Sequence, residues 1–173
     1  MRLLSQIAED LRSQREGLLA QGFWALLVYR VSHRRLSCRY RLVRKPWWLL
    51  NALAQKFVEF SCGITLPETA TIGRRLQIEH YGSIILHGGV VIGDDCLIRQ
   101  GVTIGNAGRN APQGAPRLGN RVEIGAGAKL IGAITVGDDA VIGANAVVIR
   151  DVPEGCLAVG VPAVIKRAWS DPP

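Results

Sequence analysis

The amino-acid sequence predicts an all-β solenoid, a parallel β-helix, preceded by a short α-helical N-terminal region. Two regularities carry this reading. Aliphatic residues recur every sixth position at Leu118, Ile124, Leu130, Val136, Ile142 and Val148, and the same register runs earlier through Leu86, Ile92, Ile98 and Ile104. A period of six belongs to neither an α-helix, which repeats every ~3.6 residues, nor a plain strand, which alternates. The second regularity is glycine: positions 73, 93, 105, 119, 125, 137 and 143 each follow an inward aliphatic residue, as expected where a corner leaves no room for a β-carbon against the next coil. Three hexads make one triangular turn, and each inward side chain stacks on its counterpart a coil away at about 4.8 Å.

Taken in order, residues 1–62 read as helical. Leu3, Ile7 and Leu11, and again Leu50, Leu53, Phe57 and Phe60, have helical spacing, and Pro46 fits the first turn of the last helix. Three short helices are expected to pack on one another and on the first coils. The repeat occupies residues 63–158, with a loop over 105–117, and residues 159–173 read as a C-terminal tail. Ile72 and Ile78 precede a two-residue slip, so that eight residues instead of six separate Ile78 from Leu86.

Charge is uneven. Residues 1–60 hold eleven of the Lys and Arg residues against Glu9, Asp10, Glu16 and Glu59, whereas residues 61–173 are balanced. The whole formal net charge of +7 therefore sits on the helical region. Residues 30–45 carry seven bases and no acid and end against Trp47 and Trp48. Bases beside paired tryptophans suit a peripheral contact of residues 30–48 with an anionic membrane; a solvated helix face or a subunit contact is the other reading. Nucleic acid is not expected, because the repeat is neutral and carries no recognition motif. Cys38, Cys62, Cys96 and Cys156 form no C-x-x-C pair, which suits a reduced, cytoplasmic setting. Neither a signal peptide nor a spanning segment is expected, since the apolar runs are shorter than the ~20 residues a span needs.

Chemistry is expected where the repeat breaks. Extra residues at the first slip push a side chain outward, and His80 is the one available. A histidine of ordinary pKa near ~6.5 can take a proton from a hydroxyl at neutral pH, although a lone histidine is also often incidental. The second break, residues 105–117, is a Gly/Pro-rich loop containing Asn106, Arg109 and Arg117. Its arginines suit a carboxylate, a phosphate or an acidic sugar. His87 stands where the repeat has a small residue, as part of an acceptor pocket or as an outward surface histidine.

Five segments in order now carry a resemblance: Thr71-Ile72-Gly73-Arg74-Arg75, Glu79-His80, Gly101-Val102-Thr103-Ile104-Gly105-Asn106, Ile124-Gly125-Ala126-Gly127-Ala128-Lys129 and Val159-Gly160-Val161-Pro162-Ala163. Together they resemble the hexapeptide-repeat acyltransferases, in the serine O-acetyltransferase-like branch. A leader segment Tyr-Arg-Val-x-His, here Tyr29 to His33, and the run Gly93-Asp94-Asp95 with Ile98-Arg99 bring the chain nearest to the colanic acid biosynthesis acetyltransferases. The resemblance implies a left-handed β-helix, a homotrimer with acetyl-CoA between adjacent subunits, and no metal or cofactor beyond that co-substrate. It places the family's catalytic histidine on His80. It runs the pantetheine arm along Gly105, Ala126 and Ala144 and sets Lys166 and Arg167 against the CoA phosphates. The acceptor is then held by Asn106, Arg109, Arg117 and His87.

Two departures separate the chain from serine acetyltransferases. Thr65 stands where their catalytic aspartate is, and Glu79 replaces the aspartate before the histidine, leaving Glu68, Glu79 or a backbone carbonyl to orient His80. Their loop also carries Arg-His-Pro, where this one reads Gly114-Ala115-Pro116-Arg117. The reading favoured is acetyl-CoA-dependent O-acetylation of a sugar hydroxyl on an exopolysaccharide precursor, a lipid-linked one above all. Serine O-acetylation and a non-catalytic scaffold are the alternatives. A zinc carbonic anhydrase is set aside, because its three histidine ligands would have to be His33, His80 and His87, and His33 lies in the leader.

Overall fold

The computed structural model describes residues 3–37, 41–108 and 114–167. The chain opens with helix α1 (Leu3–Ser13), a 3₁₀ turn (Gly17–Leu19), α2 (Gln21–Leu36) and α3 (Arg41–Cys62). Three helices were expected, yet α2 and α3 run to 16 and 22 residues. Pro46 lies inside α3 and not in its first turn; a proline there forfeits one backbone hydrogen bond.

The solenoid follows as three parallel faces. Face A stacks β1 (Ile64–Thr65), β4 (Ile84–Leu86), β7 (Thr103–Gly105), β10 (Lys129–Ile131) and β13 (Val147–Val148). Face B stacks β2 (Thr71–Ile72), β5 (Val91–Ile92), β8 (Arg117–Leu118) and β11 (Thr135–Val136). Face C stacks β3 (Gln77–Glu79), β6 (Leu97–Arg99), β9 (Glu123–Ile124), β12 (Val141–Ile142) and β14 (Leu157–Val159). The chain visits A, B and C in turn and winds a left-handed β-helix. One column of the register reads Ile78, Ile98, Ile124, Ile142 and Ala158, all buried, and fixes the inward side of face C.

Most corner glycines are there for the reason the sequence suggests. A β-carbon on Gly73 would lie 2.4 Å from the Gly93 carbonyl oxygen, and one on Gly93 equally close to that of Gly119. Gly105 differs, because its nearest neighbour would be His87 Cβ at 3.9 Å. That corner has room. At the far end the expected tail is partly sheet: residues 164–166 form β15 (Val164–Lys166), antiparallel to β14. A parallel stack ends in an open edge, and β15 covers it.

The opposite edge is covered by side chains from the helices. Gln14 donates from Nε2 to the Leu76 carbonyl (2.8 Å) and accepts from the Ile78 N–H (3.2 Å). The Tyr29 hydroxyl bridges the Ala70 carbonyl (2.8 Å) and the Ile72 N–H (3.1 Å) in the same manner. Arg30 donates to the Ile72 and Gly73 carbonyls and closes a buried pair with Asp10 at 2.8 Å. His33 donates from Nδ1 to the Glu68 carbonyl (2.7 Å). Three residues of the leader motif thus supply the partners that a preceding coil would have supplied.

Two expectations about the helical region are corrected. Leu50, Leu53, Phe57 and Phe60 do not pack into the core; they are exposed, and α3 instead buries Asn51, Val58 and Cys62. The solenoid's end is already occupied by Ala25, Leu26 and Tyr29 of α2. The basic segment is divided as well. Arg30 and Arg35 are buried and paired, Arg35 with Glu68. Cys38, Arg39 and Tyr40, and the side chains of residues 41–45, lie outside the described residues.

The edge between faces B and C carries an alternating ladder. Arg75 pairs with Asp95 at 2.5 Å and, two coils on, Arg121 with Asp139 at 2.6 Å, while Arg74 reaches back to Glu9 at 2.8 Å. Arg75, Asp95, Arg121 and Asp139 all adopt positive φ, a conformation that non-glycine residues accept only when neighbours fix it.

Two outcomes are expected. Arg30→Ala leaves Asp10 buried without its partner and lowers unfolding free energy by about 3–5 kcal/mol, read by urea denaturation, whereas Tyr29→Phe costs about 1–3 kcal/mol. The carboxyls of Glu9, Asp95 and Asp139 are held below the usual range by hydrogen bonds from Arg74, Arg75 and Arg121, and that of Asp138 by the N–H groups of Asn120. Lowered folded values stabilise the protein above the ordinary carboxylate range of about 4 and lose that effect as pH falls below it. The thermal midpoint is therefore expected to drop on acidification below about pH 4, and less so in Arg121→Ala.

Candidate active site

His80 follows β3 at the corner from face C to face A and is exposed. In the next three coils the left-handed residue at this corner comes three positions after the inward aliphatic: Gly101 after Ile98, Gly127 after Ile124, Asn145 after Ile142. Here it comes two after, at His80 (φ 60°), and Gly82 and Ser83 are left-handed too. The two-residue slip is absorbed by turning early, and the residue that turns early is the histidine. It opens on a cleft of about 450 Å³ between the first coil and the helical region, lined by Gln14, Arg15, Gln21, Gln77 and Tyr81 among others. Sequence reasoning missed these residues, since those before position 63 lie outside the repeat and carry no periodic signal.

Both carboxylates considered as orienters of His80 are engaged elsewhere. Glu79 receives Arg99 at 3.1 Å and Arg15 at 3.3 Å. Glu68 is bound by Arg35, and its backbone carbonyl by His33. Among the described residues the His80 ring has no hydrogen-bond partner within the chain.

The loop of the second break leaves from the corner between faces A and B. There a cleft of about 850 Å³ is lined by His87, Gly89, Asn106, Arg117 and Thr135, with Gly114 and Ala115 at its wall. His87 accepts the Gly89 N–H at Nδ1 (3.1 Å), which leaves the ring proton of the neutral form on Nε2 as a donor. Arg117 forms no ion pair among the described residues, and Arg109 lies outside them.

The site residues thus fall on two edges of the prism. His80, Ala126 and Ala144 follow strands of face C, whereas Gly105 ends a strand of face A and His87 and Asn106 follow such strands. The width of face A separates them, about six residues or ~20 Å at ~3.3 Å per residue. One chain alone does not bring His80 and the loop together. Lys166 is exposed on β15, with Arg167 directly after it. Cys96 is not a nucleophile: it is fully buried, and burial pushes its thiol up to about 11.

A triangular parallel solenoid with an outward histidine at a displaced corner and a loop-walled cleft at the next is the build of an acyl-group transferase. Residues 115–150 match the family described as bacterial transferase hexapeptide (six repeats). A serine acetyltransferase of Helicobacter pylori is 45% identical over 83% of this chain and 80% of its own length. The putative colanic acid biosynthesis acetyltransferase WcaB of Escherichia coli K12 is 38% identical over 91% of this chain and 97% of its own. Among solved structures, a serine acetyltransferase in complex with CoA superposes with a TM-score of 0.78 and 32% identity, covering 95% of this chain and 69% of that one. The chain belongs to the hexapeptide-repeat transferases and is an acetyltransferase of that family.

The room beside Gly105 is testable against the crowding at Gly93. Gly105→Ala is expected to keep its unfolding free energy within about 0.5 kcal/mol, and Gly93→Ala to lose about 1–3 kcal/mol, both read by chemical denaturation.

Proposed function

We propose that this acetyltransferase moves the acetyl group of acetyl-CoA to a hydroxyl of a saccharide, an exopolysaccharide precursor. The observation that carries the reading is the cleft of about 850 Å³ at the loop. It offers a sugar ring a wide polar surface from His87, Asn106, Arg117 and Thr135, and it is walled by Gly114 and Ala115 where serine acetyltransferases carry the arginine and histidine of their loop. A pocket for free serine needs charged groups closing on a small zwitterion. The resemblance to a colanic acid acetyltransferase along 97% of that protein supports the same acceptor class.

His80 acts as the general base. It takes the proton of the acceptor hydroxyl as that oxygen attacks the thioester carbon, backbone N–H groups receive the developing oxyanion, and protonated His80 returns the proton to the departing thiolate of CoA. Positioning of this kind contributes about 10²–10⁴ in rate. No acyl-enzyme is required. The division of the site between two edges supports a homotrimer, in which the His80 edge of one subunit meets the loop edge of the next, with acetyl-CoA between them along Gly105, Ala126 and Ala144 and its phosphates near Lys166 and Arg167. Asn106, Arg109, Arg117 and His87 hold the acceptor.

Serine O-acetylation is the second reading, favoured by the 45% identity to the Helicobacter pylori enzyme. Release of the CoA thiol separates the two: turnover is expected with a lipid-linked saccharide precursor and not with serine, and the reverse overturns the saccharide reading. His80→Ala is expected to lower kcat by about 10²–10⁴ with the dissociation constant for acetyl-CoA unchanged, measured by calorimetry. Turnover within tenfold of the unaltered protein removes His80 from the base role.

A further inference from the structure

The solvent face of α3 is the largest feature that acetyl transfer does not use. Trp48, Leu49, Leu50, Leu53, Phe57 and Phe60 are 55, 54, 68, 61, 71 and 92% exposed. Apart from Trp48 they share one side of the helix, opposite the side buried by Asn51, Val58 and Cys62. Pro46 to Phe60 covers about 22 Å at ~1.5 Å per residue. Soluble monomers rarely leave so large a contiguous apolar surface uncovered, and such surfaces mark interaction sites.

Charge selects the occupant. The first sixty residues carry the whole net charge of the chain, and the sequence just before this face, residues 30–45, holds bases and no acid. Within α3 the sole acid is Glu59, and Lys56 neutralises it at 2.5 Å. A second copy docked here would bring one strongly basic region against another, whereas an anionic surface complements it. No described helix is long and apolar enough to cross a membrane. An amphipathic helix with an exposed apolar strip, preceded in sequence by bases and by Trp47 and Trp48, suits the plane of an anionic bilayer.

We propose that α3 is a membrane-docking helix: Leu49, Leu50, Leu53, Phe57 and Phe60 enter the headgroup region of an anionic lipid surface, and the bases N-terminal to them meet the lipid phosphates. This moves the membrane contact from the segment 30–48 as a whole to the outer face of α3. Arg30 and Arg35 take no part, since both are buried in ion pairs. The contact concerns where the enzyme works and is independent of which acceptor it uses.

The test is co-sedimentation of the full chain with vesicles of equal parts phosphatidylglycerol and phosphatidylcholine, and with vesicles of phosphatidylcholine alone. The triple variant Leu53→Gln, Phe57→Gln and Phe60→Gln keeps good helix formers at exposed positions, and circular dichroism verifies that α3 is retained. The unaltered protein is expected to bind the anionic vesicles alone, and the variant to bind them roughly tenfold more weakly or worse, with the same assembly mass by sedimentation velocity. Three results overturn the proposal: no binding of the unaltered protein to anionic vesicles, equal binding to both vesicle types, or undiminished binding by the variant. A lower assembly mass for the variant also overturns it and gives the face to a second copy.

Discussion

A parallel solenoid must do something with the backbone of its first coil, which has no coil before it to pair with. Buried N–H and C=O groups without partners cost about as much as lost hydrogen bonds, so an uncapped end would fray. Here Gln14, Tyr29, Arg30 and His33 pair with backbone groups of the first coil, and Asp10 neutralises the one buried cation among them. The helices are therefore a polar template laid on the end of the coil. Gln14 fixes the carbonyl of Leu76 and the N–H of Ile78, at the start of the strand that ends in the displaced corner at His80. The geometry of the candidate base is inherited from that contact.

The repeat was legible because its physics is periodic. One inward position per hexad and a glycine wherever coils nearly touch leave a signal in any single sequence, and both breaks in it mark clefts. What stayed illegible has no period. The motif Tyr29 to His33 could be quoted as a resemblance, but its purpose required seeing three side chains reach the first coil. Leu50, Leu53, Phe57 and Phe60 have the spacing of a packed helix, and spacing does not say whether the partner belongs to the same chain. The rule that favours proline in a first turn places a helix start at Pro46, whereas α3 begins at Arg41. The segment after Gly160 carries no hexad, because β15 runs antiparallel and obeys a different register.

The division of the site over two edges follows from the triangular section. Side chains at successive corners point away from one another, so a solenoid cannot close a pocket on itself without a loop or a neighbour. The two carboxylates nearest His80 in sequence are both held by arginines that join the helical region, or the next coil, to the first. They serve the frame, and the histidine is left open to solvent on its own edge. In the homotrimer proposed above, the two edges would meet across a subunit boundary, which would tie catalytic competence to assembly.

The long loop has a consequence for how such an enzyme changes. Leu118 stacks on Ile92 across 26 residues of chain and Val136 on Leu118 across 18, yet the pairing is the same. The eight additional residues leave the coil through one corner and return to it without shifting a single strand. Among the described residues of the loop only Ala115 and Pro116, at its return, pack towards the core, so the segment before them can change in length and composition while the scaffold stays constant. The loop is in that sense a detachable cassette, one surface segment that can be exchanged while the hexads remain as they are.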